Sequence, residues 1–388
     1  MFAVFIIIVL LAVLAVLLYD FLPGLLNWTG RIKIGQISDD GQWLDAVNSV
    51  NLKWTAKGAP RVPYDENKRL KLIEEIKTAG KKTTVAYWQD AAVLKGVGDN
   101  SGSGANESVS SLVDRYIDIF TGEWKKAPAR IDSAILSYEM MSNPFIDNRT
   151  IKPAMDYVAE MIKNEYDRCG SVPYNSSVSD IRFVDTVGMI CPFLIKYSNE
   201  YNLPEYDDIA LKQIAQYREC GFDSGMKLPF HCFNTETKAK LGICGWGRGC
   251  AWWALGLTDS LKELLTLKGR NKEKALLLRL LMEILDETEK HISDNGAVNR
   301  MMLNESLPDS SATAMFAYCF SYMYMLTKKE NYRDRATEML GFLKSVTRRN
   351  GVIDFSQGDT MGIGYYSSGL SVVPAAQGFV LAAAELIK

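Results

Sequence analysis

The chain has 388 residues, enough for one large domain or two of ordinary size. Its 47% hydrophobic and 23% charged residues are globular usage, and a net charge of −2 without a basic stripe excludes nucleic acid as a partner. Seven cysteines without a CxxC pair, beside only two histidines, make poor zinc spacing. No metal or other cofactor is expected, and the odd thiols suit a reducing compartment.

In chain order, residues 1–18 carry no charge. At about 1.5 Å per residue they reach about 27 Å, close to the hydrocarbon thickness of a bilayer. A cleaved signal would have a basic start, a shorter apolar run and a small-residue cleavage site, none of which is present. The segment therefore reads as an N-terminal transmembrane helix, an uncleaved single-pass anchor over 1–22 that Pro23-Gly24 ends. A linker over 23–36 would follow. Arg31 and Lys33 lie on its C-terminal side, which by the positive-inside rule puts the rest of the chain in the cytoplasm.

Residues 37–388 read as one domain, because no Pro- or Gly-rich linker divides them. Helical spacing dominates. Examples are Leu70, Ile73, Ile76 and Lys77, then Leu112, Tyr116 and Phe120, then Met155, Val158, Met161 and Ile162. It continues at Leu255–Leu265, Leu276–Leu285, Ala312–Leu326 and Ala375–Ile387. Gly96–Gly104 reads as a flexible surface loop, and Val352–Phe355 as a short extended piece. About twelve helices are expected, with about 29 residues for each helix and its loop. Six helical hairpins closed into a ring, or an open superhelix, both fit, and no fixed-period repeat chooses between them.

Four segments carry residues suited to chemistry. Asp132, in Ala129–Leu136, opens a helix. Asp185 opens another, in Arg182–Leu194, sharing a face with Met189 and Phe193, while Pro192 should kink or break it. Either acid serves equally as a first-turn residue favoured by the helix dipole. His231, in Leu228–Asn234, sits in a non-helical stretch, where a structural histidine is the plainer reading. Gly245–Trp253 is denser. Arg248 and Trp252 lie four apart on one face, offering a fork for a carboxylate and a wall for a sugar ring. A helix start with a core tryptophan explains it about as well.

Together these segments resemble glycoside hydrolase families 88 and 105, the unsaturated glucuronyl and rhamnogalacturonyl hydrolases. Trp246-Gly247-Arg248-Gly249-Cys250-Ala251-Trp252 resembles the signature Trp-Ala/Gly-Arg-Gly-Asn-Gly-Trp, and Asp185–Leu194 resembles D-x-x-x-M-x-x-P-F-L. His231 falls where the family has a histidine, and Asp309–Met315 and Gly378–Leu386 match later helices. The likeness runs from about Trp88 to the C-terminus. It implies an all-α (α/α)6 barrel, a six-hairpin toroid, with its site at one mouth. It implies an oligosaccharide substrate ending in a 4,5-unsaturated uronic acid, Asp185 as acid/base and Asp132 as the second acid. Arg248, His231, Trp252, Trp88 and Trp246 would line the sugar pocket. The sequence departs from the family at Cys250-Ala251, where Asn-Gly is usual, which removes an amide donor and acceptor. The anchor is also unusual for the family. Two other activities fit the same residues: an inverting glycosidase on saturated sugars, with Asp132 as base, and a non-catalytic, membrane-tethered sugar-binding domain.

Overall fold

The computed structural model describes residues 2–60, 62, 87–304, 307–360 and 362–388. The periodic stretch Leu70–Lys77 lies outside them. Among the described residues there are thirteen α-helices: α1 (Phe2–Arg31), α2 (Asp40–Lys57), α3 (Tyr87–Lys95), α4 (Ala105–Tyr116), α5 (Ser133–Ser142), α6 (Asn148–Glu165), α7 (Val184–Tyr201), α8 (Glu205–Cys220), α9 (Gly247–Thr266), α10 (Asn271–Glu289), α11 (Ser310–Thr327), α12 (Glu330–Ser345) and α13 (Ala375–Leu386). Twelve of these described helices follow α1.

Six of them, α3, α5, α7, α9, α11 and α13, touch one another in that order, and α13 returns to α3. This closes a ring. The others lie outside it: α6 against α5 and α7, α8 against α7, α10 against α9, α12 against α11 and α13, and α2 against α13 and α3, with α4 on α2. The sequence distinguishes the two layers. Inner helices are buried nearly all round, so every residue of Ser133–Met141 and of Ser310–Met323 is buried. Outer helices carry one apolar stripe, as at Ile151, Ala154, Met155, Val158 and Ile162 of α6. The arrangement is that of a six-hairpin helical toroid, and the free thiols of Cys191, Cys250 and Cys319 are buried within it.

Close approach of α7 and α9 sets the site. A Cβ on Gly188 would lie 2.8 Å from the Trp252 ring, and one on Gly256 would lie 2.9 Å from the Gly188 nitrogen. Only glycine lets the two backbones meet there. Pro192 does not break α7, which runs through it as one helix.

Two departures from the sequence reading stand out. The apolar helix α1 does not end at Pro23-Gly24 but continues to Arg31. Its last turn is held from outside, because Asn27 and Arg31 bond to Arg348 and Asp354. Strands are also present. β1 (Ile181–Phe183), β2 (Phe230–Asn234) and β3 (Lys240–Cys244) form an antiparallel sheet in that order, and β4 (Ser356–Gln357) pairs with β5 (Leu370–Ser371). Each is too short for alternation to register in the sequence. Val352–Phe355 contributes only an isolated bridge, Ile353 to Thr347.

Candidate active site

All six inner helices start on one side. Trp88 begins α3, Asp185 lies in the first turn of α7, and Arg248 in the first turn of α9. Ser311, at the start of α11, bonds to Arg248, and Ala375, at the start of α13, donates its N–H to Gln89 beside Trp88. A cavity of about 220 Å³ opens here. It is lined by Trp88, Arg130, Tyr174, Phe183, Asp185, Met189, His231, Trp246, Arg248, Trp252, Asp359, Thr360 and Gly362. That is below the usual range for drug-sized ligands and suits a single ring. The lining contains every residue marked by the sequence except Asp132.

Asp185 is the strongest titratable candidate. Burial pushes its carboxyl from 3.8 up to about 7; Arg248 opposes the rise and Asp359 adds to it. One of its oxygens, Oδ1, has no hydrogen-bond partner among the described residues. His231 Nε2 lies 3.9 Å from the other, too far for a direct hydrogen bond. Burial, with Arg248 nearby, lowers His231 to about 4, so it is neutral at pH 7. The β1–β2 pairing delivers it: Phe183, which leads directly into α7, stands opposite Cys232, and a register shift in β2 falls at His231. Tyr366 Oη accepts the Ile243 N–H at 2.9 Å and lies 3.1 Å from His231 Nδ1. Donation of the Tyr366 proton to Nδ1 would place the histidine proton on Nε2, on the Asp185 side.

Arg248 is buried between the rings of Trp88 and Trp246, 5.7 and 5.5 Å from their centroids. It donates to the carbonyls of Gln357 and Gly358, each at 2.7 Å, which leaves part of its fork for a ligand. Trp246 donates its indole N–H to Gln357 Oε1 at 2.9 Å, and Trp88 meets Trp252 edge to face at 5.8 Å. The walls are therefore fixed before any sugar arrives.

Asp132 is fully buried immediately before α5, 3.1 Å from Arg130 Nη2. Burial raises its carboxyl pKa, and Arg130 opposes the rise. Arg130, rather than Asp132, faces the cavity.

A family model described as Glycosyl Hydrolase Family 88 matches residues 65–388. The chain belongs to glycosyl hydrolase family 88. It is thus a glycoside hydrolase, and the tethered non-catalytic reading falls away. A comparison with curated proteins finds no match. Among solved structures, a possible member of family 105 from Klebsiella pneumoniae is 17% identical, with a TM-score of 0.68, covering 86% of this chain and 97% of that one. An unsaturated glucuronyl hydrolase from Bacillus sp. GL1 is 14% identical, with a TM-score of 0.62, covering 87% and 94%. An unsaturated glucuronyl hydrolase specific for heparin is 15% identical, with a TM-score of 0.64, covering 89% and 97%. At these identities the likeness is one of fold.

In this family 88 enzyme the departure at Cys250-Ala251 lies behind the cavity wall. Both residues are fully buried and neither lines the cavity. Sequence reasoning missed Asp359, Arg130, Tyr174 and Tyr366. Asp359 is half-buried in the lining, where desolvation raises its pKa and Arg248 and Arg130 oppose the rise. It stands in Gly358–Gly369, which has no periodicity to mark it. Arg130 alone carried a signal, standing two residues before Asp132.

Proposed function

We propose that this enzyme releases a 4,5-unsaturated uronic acid from the non-reducing end of an oligosaccharide by hydrating its vinyl ether. One observation carries the reading: Asp185, held at about 7, faces the guanidinium of Arg248 in a cavity sized for one ring. A carboxyl with that pKa is half protonated near neutrality and can act as acid and then as base.

In the proposed course Asp185 gives its proton to C4 of the double bond. Positive charge develops at C5, shared with the ring oxygen, and water adds there. The carboxylate of Asp185 takes a proton from that water, restoring the acid. The resulting hemiketal opens and the shortened saccharide leaves. Arg248 holds the uronate carboxylate with the donors not spent on Gln357 and Gly358, and neutral His231 offers Nε2–H beside Asp185. Trp88, Trp246 and Trp252 bound the apolar faces of the sugar. Asp132 acts through Arg130, which it holds at the rim. The inner helix starts favour an anion at this mouth. Neighbouring folds named as unsaturated glucuronyl hydrolases support the reading, as does one solved with dGlcA-Glc-Rha-Glc.

We also read α1 as a membrane anchor, since its 30 residues contain a strongly apolar 18-residue stretch, none of it buried.

The test is incubation with mixed polysaccharide-lyase products, following the ultraviolet absorbance of the double bond. Wild type should erase it and Asp185→Asn should not. Cleavage of saturated aryl glycosides, with the unsaturated products untouched, would instead identify a conventional glycosidase.

A further inference from the structure

We infer that Arg31, the last residue of α1, is a positioning residue for the active site. The last turn of the apolar helix fixes the segment whose Gln357 and Gly358 carbonyls receive Arg248 and whose Asp359 lines the cavity. The inference takes its substrate from the function proposed above, but the coupling itself is independent of it.

Arg31 grips both carboxyl oxygens of Asp354, 323 residues further on, with Nε at 2.9 Å and Nη2 at 3.0 Å. Nη2 also donates to the Leu370 carbonyl at 2.6 Å, and the guanidinium lies 4.4 Å from the Phe355 ring centroid. Nothing about ending a helix requires this reach, since an arginine there is favoured by the dipole even when it points to solvent. Asp354 is fully buried. Burial alone would raise its carboxyl pKa, but the bonds from Arg31, the Phe355 N–H and Arg348 hold it below the ordinary value. Arg348 in turn bonds to Asn27, one turn back along α1.

From Asp354 the chain runs directly to the cavity. Phe355 has φ +61, a left-handed conformation that a bulky residue adopts only when its surroundings impose it. The surroundings are Arg31 on one side and Ser310 on the other, which donates to the carbonyls of Asp354 and Phe355 at 2.6 and 3.1 Å. Ser356 and Gln357 then pair with Leu370 and Ser371, so Arg31 holds both strands of that ribbon. The next carbonyls are those that receive Arg248, and Asp359 follows. Without Arg31, buried Asp354 keeps Arg348 and one backbone N–H, and the ribbon loses its outer clamp. The enzyme therefore works with the last turn of α1 retained.

The experiment compares full-length wild type and Arg31→Gln, both in detergent. Hydrogen exchange is read over residues 354–360 and over α10, and kcat and KM are measured on an unsaturated disaccharide. Losing one charged, buried hydrogen-bond pair should speed exchange over 354–360 by about tenfold or more, with α10 unchanged. KM should rise about tenfold, with kcat moving less, because the displaced group is the partner of the carboxylate-binding Arg248. Should Arg31→Gln fail to fold, Arg31→Lys tests the same point, because a point charge replaces the fork and exchange should still rise locally. Unchanged exchange over 354–360, or an equal rise in α10, overturns the inference. A local rise in a protein whose wild type leaves every unsaturated uronide intact supports the coupling and refutes the proposed substrate instead.

Discussion

Replacing Asp185 with asparagine should make the protein more stable and inactive at once. The rise of this carboxyl from 3.8 to about 7 means that ionising it in the folded chain is harder than in the unfolded chain by about 4 kcal/mol, at 1.36 kcal/mol for each pKa unit. The side chain keeps 18% of its surface exposed, so solvent screening brings the usable figure to about 2 kcal/mol. The sign follows from proton counting. Between pH about 4 and 7 the folded chain holds a proton that the unfolded chain has lost, so wild-type stability falls as pH rises through that window and levels off above it. Asparagine keeps the shape and carries no charge. Asp185→Asn should therefore gain on wild type from pH 4.5 upward, melting about 3 °C higher at pH 8. Paired melting curves at several pH values, with turnover of an unsaturated disaccharide measured alongside, test both halves. A variant that melts at or below wild type at pH 8, or whose advantage does not grow with pH, would refute the account of Asp185 as a carboxyl strained by burial.

Two further outcomes are expected. Asp359 faces Asp185, Arg248 and Arg130, and its negative charge raises the Asp185 pKa, so Asp359→Asn should move the alkaline limb of the kcat/KM profile to lower pH; a limb that stays put denies that the two acids interact. Gly188→Ala would set a Cβ 2.8 Å from the Trp252 ring and its carbonyl, lowering stability by about 1–3 kcal/mol and separating Asp185 from Arg248; a fall in melting temperature without any change in kcat/KM would show that helix spacing does not set the site.

The sequence carried the helical class and the meeting of residues 185, 231 and 248, and for physical reasons. Inner helices are buried nearly all round, which leaves long runs without a charged face, as in Ala312–Met323. The Asp185 and Arg248 motifs were legible through their likeness to the family signatures, since a charge at a helix start beside apolar neighbours is by itself explained as well by the helix end. Asp359 and Tyr366 were illegible because their segment has no period. Their position depends on β4–β5 pairing and on Arg248, which bonds to a residue 109 positions away. Pro23-Gly24 misled about the end of α1 because local propensity knows nothing of Asp354. Asp132 was read as a cavity acid, yet it is its neighbour Arg130 that faces the opening, a matter of direction that one residue of spacing cannot settle.

The common direction of the inner helices has a consequence at the far end of the ring. There α3 finishes, and Lys95 at its end is buried against Glu139 of α5 and Asp259 of α9 at 2.8 and 2.9 Å, tying three inner helices together through one ion-pair cluster. The toroid thus has a fixed polarity, running from amide donors to carbonyl acceptors. Altering the rim loops can change which neighbouring sugar or linkage is accepted. It cannot easily convert the enzyme to a cationic sugar, since that would set the ligand against every helix at once.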